Sequence, residues 1–108
     1  MNYLNSILLE GTCVSVPEIV ATPQGNKCEF KVVYPRKEPD GNETVSTFDV
    51  EAFDRLGKTI ERTVTKGRGL RIVGRIKEEW TTDDAGKTHS RVKIIAEHVE
   101  FKSLGVAL

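Results

Sequence analysis

The chain has 108 residues, enough for one hydrophobic core but too few for two, so we expect a single domain over residues 1–108. Its 16 Lys and Arg residues balance 16 Asp and Glu residues, so net charge predicts neither a nucleic-acid nor a membrane partner. No apolar run approaches the length of a transmembrane helix, and the N-terminus lacks a signal-peptide pattern, which predicts a cytoplasmic protein.

Five segments alternate apolar and polar residues with the period of two that is typical of β-strands. We place these strands at residues 6–16, 27–34, 45–53, 70–80 and 88–101. Between the third and the fourth, Leu56, Ile60 and Val64 recur every four residues. Because Asp54 can cap a helix and Gly67 can stop one, this segment predicts one short helix.

The connections differ in length and composition. The segments "TPQG" and "DDAG" predict compact turns, whereas "PRKEPDGNET", residues 35–44, predicts a long polar loop. Three strands, one helix and two strands predict an all-β protein with one short helix, in the form of a five-stranded Greek-key barrel of the OB type. A small sandwich or an SH3-like barrel fits the same pattern.

The fourth predicted strand separates two kinds of residue onto two faces. Leu70, Ile72, Gly74 and Ile76 fall on one face, and Arg71, Val73, Arg75 and Lys77 fall on the other. The first face predicts core, and the second is mostly cationic. Eight basic residues between Arg55 and Lys77 stand against Glu61 alone, so a basic zone of net charge +7 lies within an otherwise acidic chain.

The sequence offers little material for catalysis. His89 and His98 stand alone, and the acidic residues around 78–84 flank a predicted turn. The two cysteines, Cys13 and Cys28, lack metal-ligand spacing and are predicted to be reduced core thiols. We therefore predict no enzyme activity, no metal site and no cofactor.

Aromatic residues next to the basic zone favour a nucleic-acid partner instead. Unpaired nucleic acid presents phosphates, which need cations, and bare base faces, which stack on flat rings. Phe53 faces outward if Val50 is core, and Trp80 ends the basic strand. The combination predicts binding of single strands.

Four segments, "LNSILLEGTCVSVPEI", "FDVEAFDRLGKTI", "KGRGLRIVGRIKEEWTTDDAGK" and "VKIIAEHVEF", resemble the bacterial single-stranded DNA-binding protein family across nearly the whole chain. The third segment is the most specific. The resemblance implies an OB fold, a homotetramer and sequence-tolerant binding of single-stranded DNA.

The resemblance also carries over individual residues. Phe53 and Trp80 match the family's stacking positions, Lys66, Arg75 and Lys77 fall among its basic contacts, and Tyr34 and Arg36 lie where the second strand enters the long loop. With the rest of the basic zone, the predicted nucleic-acid-binding residues are Tyr34, Arg36, Phe53, Arg55, Lys66, Arg68, Arg71, Arg75, Lys77 and Trp80.

The chain departs from the family pattern at several positions. Thr47 stands where the family has another aromatic, although Phe48 is adjacent, and Glu51 stands where an apolar residue is commoner. Glu78 and Glu79 precede Trp80 where the family tends to be basic. The family's flexible linker and acidic C-terminal tip have no counterpart in the printed sequence.

These observations predict a role in DNA replication, recombination and repair, with replication and repair proteins as partners and a nucleoid-associated location. A tail-less primosomal replication-restart protein and an oligomerising protein-interaction module are the alternatives. Successive apolar residues Ile7, Leu8 and Leu9 predict a surface covered by another subunit. The resemblance favours a tetramer, and a dimer is the alternative.

Overall fold

The computed structural model describes residues 3–102, which form six β-strands and one α-helix. The elements are β1 (Ile7–Cys13), β2 (Glu18–Thr22), β3 (Gly25–Lys37), β4 (Glu43–Phe53), α1 (Asp54–Thr63), β5 (Gly69–Thr82) and β6 (Thr88–Phe101). The prediction of an all-β protein with one short helix is confirmed. No helix within the described residues is long and apolar enough to cross a membrane.

Five of the six strands close a barrel. The hydrogen-bonded order is β1-β5-β6-β4-β3-β2, and β1 also pairs with β3 at Thr12↔Val33 and Cys13↔Val32. The β4–β6 pair is parallel, and the other strand pairs are antiparallel. The predicted five-stranded OB barrel is therefore present, and β2 is an additional strand that forms a hairpin with β3.

The barrel interior takes the inward side chains of these strands. Its buried members are Cys13, Cys28, Phe30, Val32, Val50, Ala52, Ile60, Val64, Leu70, Ile72, Ile94 and Ala96. Of the three apolar residues that recur every four positions in the predicted helix, Ile60 and Val64 are buried in this core, and Leu56 packs against it. Both cysteines are free and buried, as predicted, and burial raises the pKa of the Cys28 thiol to about 11.

Two glycines allow close backbone contacts, one between α1 and β4 and the other between β5 and β6. A Cβ at Gly57 would lie 2.6 Å from the carbonyl oxygen of Ala52, so α1 can pack on the end of β4 only with glycine there. A Cβ at Gly74 would lie 2.1 Å from the carbonyl oxygen of Ile95, next to an irregularity in the β5–β6 register.

The predicted helix ends were wrong in detail. Phe53, not Asp54, is the N-cap residue, and no side chain caps the helix. Asp54 begins α1 with a positive φ of 53°. The helix ends at Thr63, before Gly67, because Val64 adopts an extended conformation that turns its side chain into the core.

The predicted long loop at residues 35–44 was also wrong. β3 continues to Lys37 and β4 begins at Glu43, so residues 38–42 form a tight turn closed by hydrogen bonds between Glu38 and Asn42 and between Gly41 and Glu38. The turns at 22–25 and 83–86 are confirmed. Residues 103–108 of the C-terminal segment lie outside the described residues.

The hairpin of β5 and β6 extends past the barrel. Leu70 and Ile72 are fully buried as predicted, but Ile76 is 49% exposed, so its assignment to the core was wrong. Ile76 has the correct parity, and its cross-strand partner Ile94 is buried, but Val92 and Trp80, which follow on the same face, are exposed, so the core ends at this pair. Periodicity predicts the face of a strand but not how far the core extends along it.

Candidate nucleic-acid interface

The outer surface of β3, β4, β6 and β5, which we call the sheet face, carries charged side chains of both signs. Cross-strand pairing aligns them in two rows. One row is Lys31, Asp49, Lys93 and Lys77, and the other is Glu29, Glu51, Ile95 and Arg75. The predicted residues Arg75 and Lys77 therefore stand together at the β5 edge of this surface.

Glu51 lies at the centre of the sheet face and is buried, with 4% of its surface exposed. Its Oε2 accepts hydrogen bonds from Lys27 Nζ at 2.8 Å and Lys93 Nζ at 2.7 Å. Lys93, 8% exposed, also donates to Glu79 at 3.0 Å. Burial alone would raise the pKa of Glu51, but the two lysine hydrogen bonds outweigh it, so this pKa is lowered. Glu51 is ionised and already paired.

Asp49 forms a second ion cluster on the same surface. It accepts hydrogen bonds from Lys31 Nζ at 2.5 Å and from Arg91. The bond from Lys31, followed by that from Arg91, holds the pKa of Asp49 below its usual range. A groove of about 470 Å³ runs along these residues. Its lining is Ser15, Val16, Glu18, Glu29, Phe30, Lys31, Asp49, Val50, Glu51, Arg91 and Lys93.

The three predicted cations of β5 differ in how far carboxylates neutralise them. Arg71 pairs with Glu10 of β1 at 2.7 Å and with Glu100 of β6 at 3.5 Å. Arg75 lies 3.9 Å from Glu97. Lys77 is exposed and forms no ion pair within residues 3–102. Of the three, Lys77 is the most available to a phosphate.

Trp80 lies on the opposite face of the β5–β6 hairpin from Arg75 and Lys77. It shares that face with Ile76 and Val92, and 62% of its surface is exposed. Its indole Nε1 donates a hydrogen bond to Glu78 at 3.0 Å, which holds the ring at the surface. The indole is therefore an accessible stacking surface at the projecting end of the hairpin.

Phe53 and Tyr34 lie at opposite ends of the β3–β4 hairpin. Phe53 is half-buried outside the core cluster and stands opposite Lys27, whereas Tyr34 pairs with Ser46. Tyr34 lies seven positions after Lys27 along β3, a distance of about 23 Å. Arg36, beyond Tyr34, is exposed and lies 3.6 Å from Glu38.

The remaining predicted residues lie elsewhere. Arg55 is exposed in the first turn of α1, and Lys66 is exposed in the turn after it. Arg68 is half-buried, because its guanidinium lies 4.5 Å from the ring centre of Phe101 and donates to the carbonyl oxygen of Lys102. These contacts give Arg68 a packing role at the end of β6.

The departures from the family pattern have structural counterparts. Thr47 is exposed on β4, and Phe48 packs against the core, so Phe48 does not replace the missing ring. Glu78 accepts a hydrogen bond from Trp80, and Glu79 accepts one from Lys93.

The sequence analysis missed four cations of the sheet face, which are Lys27, Lys31, Arg91 and Lys93. They lie outside the densest basic segment. The signal that could have found them is the alternation of opposite charges at "KCEFK" and the spacing of two at "RVK".

Comparisons with known proteins agree with this geometry. The model of the single-strand binding protein family matches residues 4–102. The single-stranded DNA-binding protein of Aquifex aeolicus is 31% identical over 104 residues, covering 91% of this chain and 69% of that protein. The protein of the same name from Treponema pallidum is 28% identical over 106 residues, covering 94% of this chain and 59% of that protein. A solved Plasmodium falciparum SSB complex with ssDNA superposes with a TM-score of 0.84 at 16% identity, covering 95% of this chain and 98% of that one. The last comparison confirms the fold.

Proposed function

The chain belongs to the single-strand binding protein family, and we propose that it binds single-stranded DNA with little sequence preference, in replication, recombination and repair. Membership of this family also makes it a binding protein rather than an enzyme. The curated relatives are longer than this chain, so activities of their remaining parts are not assigned to it.

The exposed indole of Trp80 is the observation that carries this proposal. A large aromatic side chain held at the surface by a hydrogen bond supplies a flat apolar area to a partner. Base stacking on such a ring contributes about 1 to 3 kcal/mol per base and accepts every base. Phe53 supplies a second ring, and Lys77 supplies a positive charge on the opposite face of the hairpin that forms no ion pair within residues 3–102.

The low sequence preference follows from the ion pairs of the sheet face. Carboxylates read bases by accepting hydrogen bonds from amino groups at the base edges. Glu51 and Asp49 already accept hydrogen bonds from lysine and arginine, so they are poorly placed to select a base. Contacts to phosphates and base faces then dominate, and duplex DNA hides the base faces.

Titration with oligothymidylate tests the proposal directly. Trp80 is the chain's single tryptophan, so quenching of the intrinsic fluorescence reports contact at this residue. We expect quenching by single strands, weaker binding of duplex of the same length, and loss of affinity as salt rises. Equal affinity for duplex and single strand would contradict the proposal.

We also propose that the chain assembles as a homo-oligomer, with a tetramer favoured and a dimer as the alternative. Leu8 is 69% exposed on β1, and β1 pairs with β3 only at Thr12 and Cys13 in the described part of the chain. A second copy of β1 can pair with the open edge near Ile7 and cover Leu8. Light scattering should give a multiple of the 12.0 kDa chain mass, and a single species of that mass would contradict assembly.

A further inference from the structure

A second charged surface lies on α1. Arg55, Lys58 and Arg62 are exposed and, at about 100° per residue, fall within an arc of about 60°. They lie opposite Gly57 and Ile60, which are buried against the barrel. We call these three side chains the cationic helix face.

The cationic helix face differs from the sheet face in its ion pairs. Within the described residues, Arg55, Lys58 and Arg62 form no ion pair, whereas the sheet-face cations Lys27 and Lys93 each contact a carboxylate within 3.0 Å. A phosphate that binds a sheet-face lysine must displace that carboxylate, so the exchange yields little net attraction. A phosphate that meets the cationic helix face finds cations without such competitors.

The cationic helix face is continuous with the sheet face through Phe53. This residue ends β4 and is also the N-cap of α1. A cavity of about 420 Å³ lies between β3 and α1. One of its lining residues, Asn26, directly precedes Lys27, which pairs with Phe53 across the strands. The cavity is lined by Asn26, Asp54, Arg55, Lys58 and Arg62. Asp54 contributes the single negative charge of this lining.

We propose that single-stranded DNA leaves the sheet face at Phe53 and continues over the cationic helix face, where Arg55, Lys58 and Arg62 bind successive phosphates. This inference rests on the proposed function and adds Lys58 and Arg62 to its binding residues. An acidic protein segment would meet the same charges, but the adjoining ring of Phe53 favours a ligand that also stacks.

The double variant Lys58→Ala/Arg62→Ala tests the path. Each phosphate contact to a single strand contributes about 0.7 to the slope of log K against log salt. The variant should therefore lower the magnitude of that slope by ~1.4, measured by anisotropy of labelled oligothymidylate. Its melting temperature should match the wild type, because both side chains are exposed. The charge-preserving variant Lys58→Arg/Arg62→Lys should keep the wild-type slope.

Lys102→Ala is a single-charge control, since it removes one positive charge at a site away from α1, where Lys102 lies 3.5 Å from Glu10. Its slope should equal that of the wild type. Wild-type protein that fails to bind oligothymidylate would remove the proposed function itself. Wild-type binding with an unchanged double variant would overturn the helix path alone. A double variant that keeps its DNA affinity but no longer binds a polyglutamate peptide would overturn it as well, by assigning the helix face to an acidic protein.

Discussion

Replacing Glu51 by glutamine should lower stability and strengthen DNA binding at the same time. The substitution keeps the shape of the side chain but removes the negative charge that pairs with Lys27 and Lys93. Two largely buried lysines then lose their shared partner. Removing one member of a buried ion pair costs about 3 to 5 kcal/mol.

The expected loss for Glu51→Gln lies below that range, because each lysine keeps a second carboxylate. Lys93 remains 3.0 Å from Glu79, and Lys27 remains 3.3 Å from Glu29. We therefore expect the free energy of unfolding to fall by about 2 to 3 kcal/mol. Binding should strengthen and its salt slope should steepen, because each of these two lysines then has one carboxylate fewer competing with a phosphate.

Urea denaturation and salt-dependent binding isotherms measure the two effects on the same protein. Glu79→Gln is the control, since Glu79 is more exposed and, within residues 3–102, pairs only with Lys93, so both effects should be smaller. Wild-type stability in Glu51→Gln would show that the buried ion network is not coupled to folding. A folded variant with unchanged or weaker binding would show that DNA does not contact the sheet face at Glu51.

Three further outcomes can be checked with the same assays. Trp80→Ala should weaken binding by about 1 to 3 kcal/mol with no change in salt slope or melting temperature, because it removes stacking and not a phosphate contact; a changed slope would argue against stacking. Ile72→Ala should lower the free energy of unfolding by about 2 to 5 kcal/mol, whereas Ile76→Ala should have a much smaller effect, because Ile76 is half-exposed; equal losses would place Ile76 in a packed layer. The lowered pKa of Asp49 means that its contribution to stability is present above its unfolded pKa of about 3.9 and is lost as the pH falls further through the folded pKa. Urea midpoints should therefore fall in acid, and less so in Asp49→Asn; identical acid profiles would contradict this assignment.

Local pattern predicted most of the strands because one barrel face is buried throughout. Leu70 and Ile72 are buried on either side of the exposed Arg71, and β6 has the predicted bounds of 88–101. β2 escaped prediction because "EIVAT" has no clear alternation, and in the described part of the chain this strand pairs with β3 alone. The predicted loop at 35–44 was too long, because polar side chains on an exposed hairpin extension resemble those of a loop.

The candidate site was less predictable, since its geometry depends on residues far apart in the chain. Glu51 meets Lys27 from β3 and Lys93 from β6, so neither its burial nor its pairing can be deduced from the β4 segment. Trp80 was predicted to act beside the basic zone, but strand parity places its ring on the opposite face of the hairpin from Arg75 and Lys77. The ion-pair partners on other strands, and not the local sequence pattern, decide which charged side chains remain available to DNA phosphates.

The two short closures of the barrel have a consequence for how the chain folds. The long hairpins β3–β4 and β5–β6 join neighbouring strands, so each can form locally. The barrel closes only when Val50 of β4 meets Ile94 of β6 and when Thr12 of β1 meets Val33 of β3, which bring together distant parts of the chain. Each closure loses chain entropy before its few pairs give any stabilisation. Folding should therefore be slow for a chain of this length, on a timescale of about milliseconds to seconds.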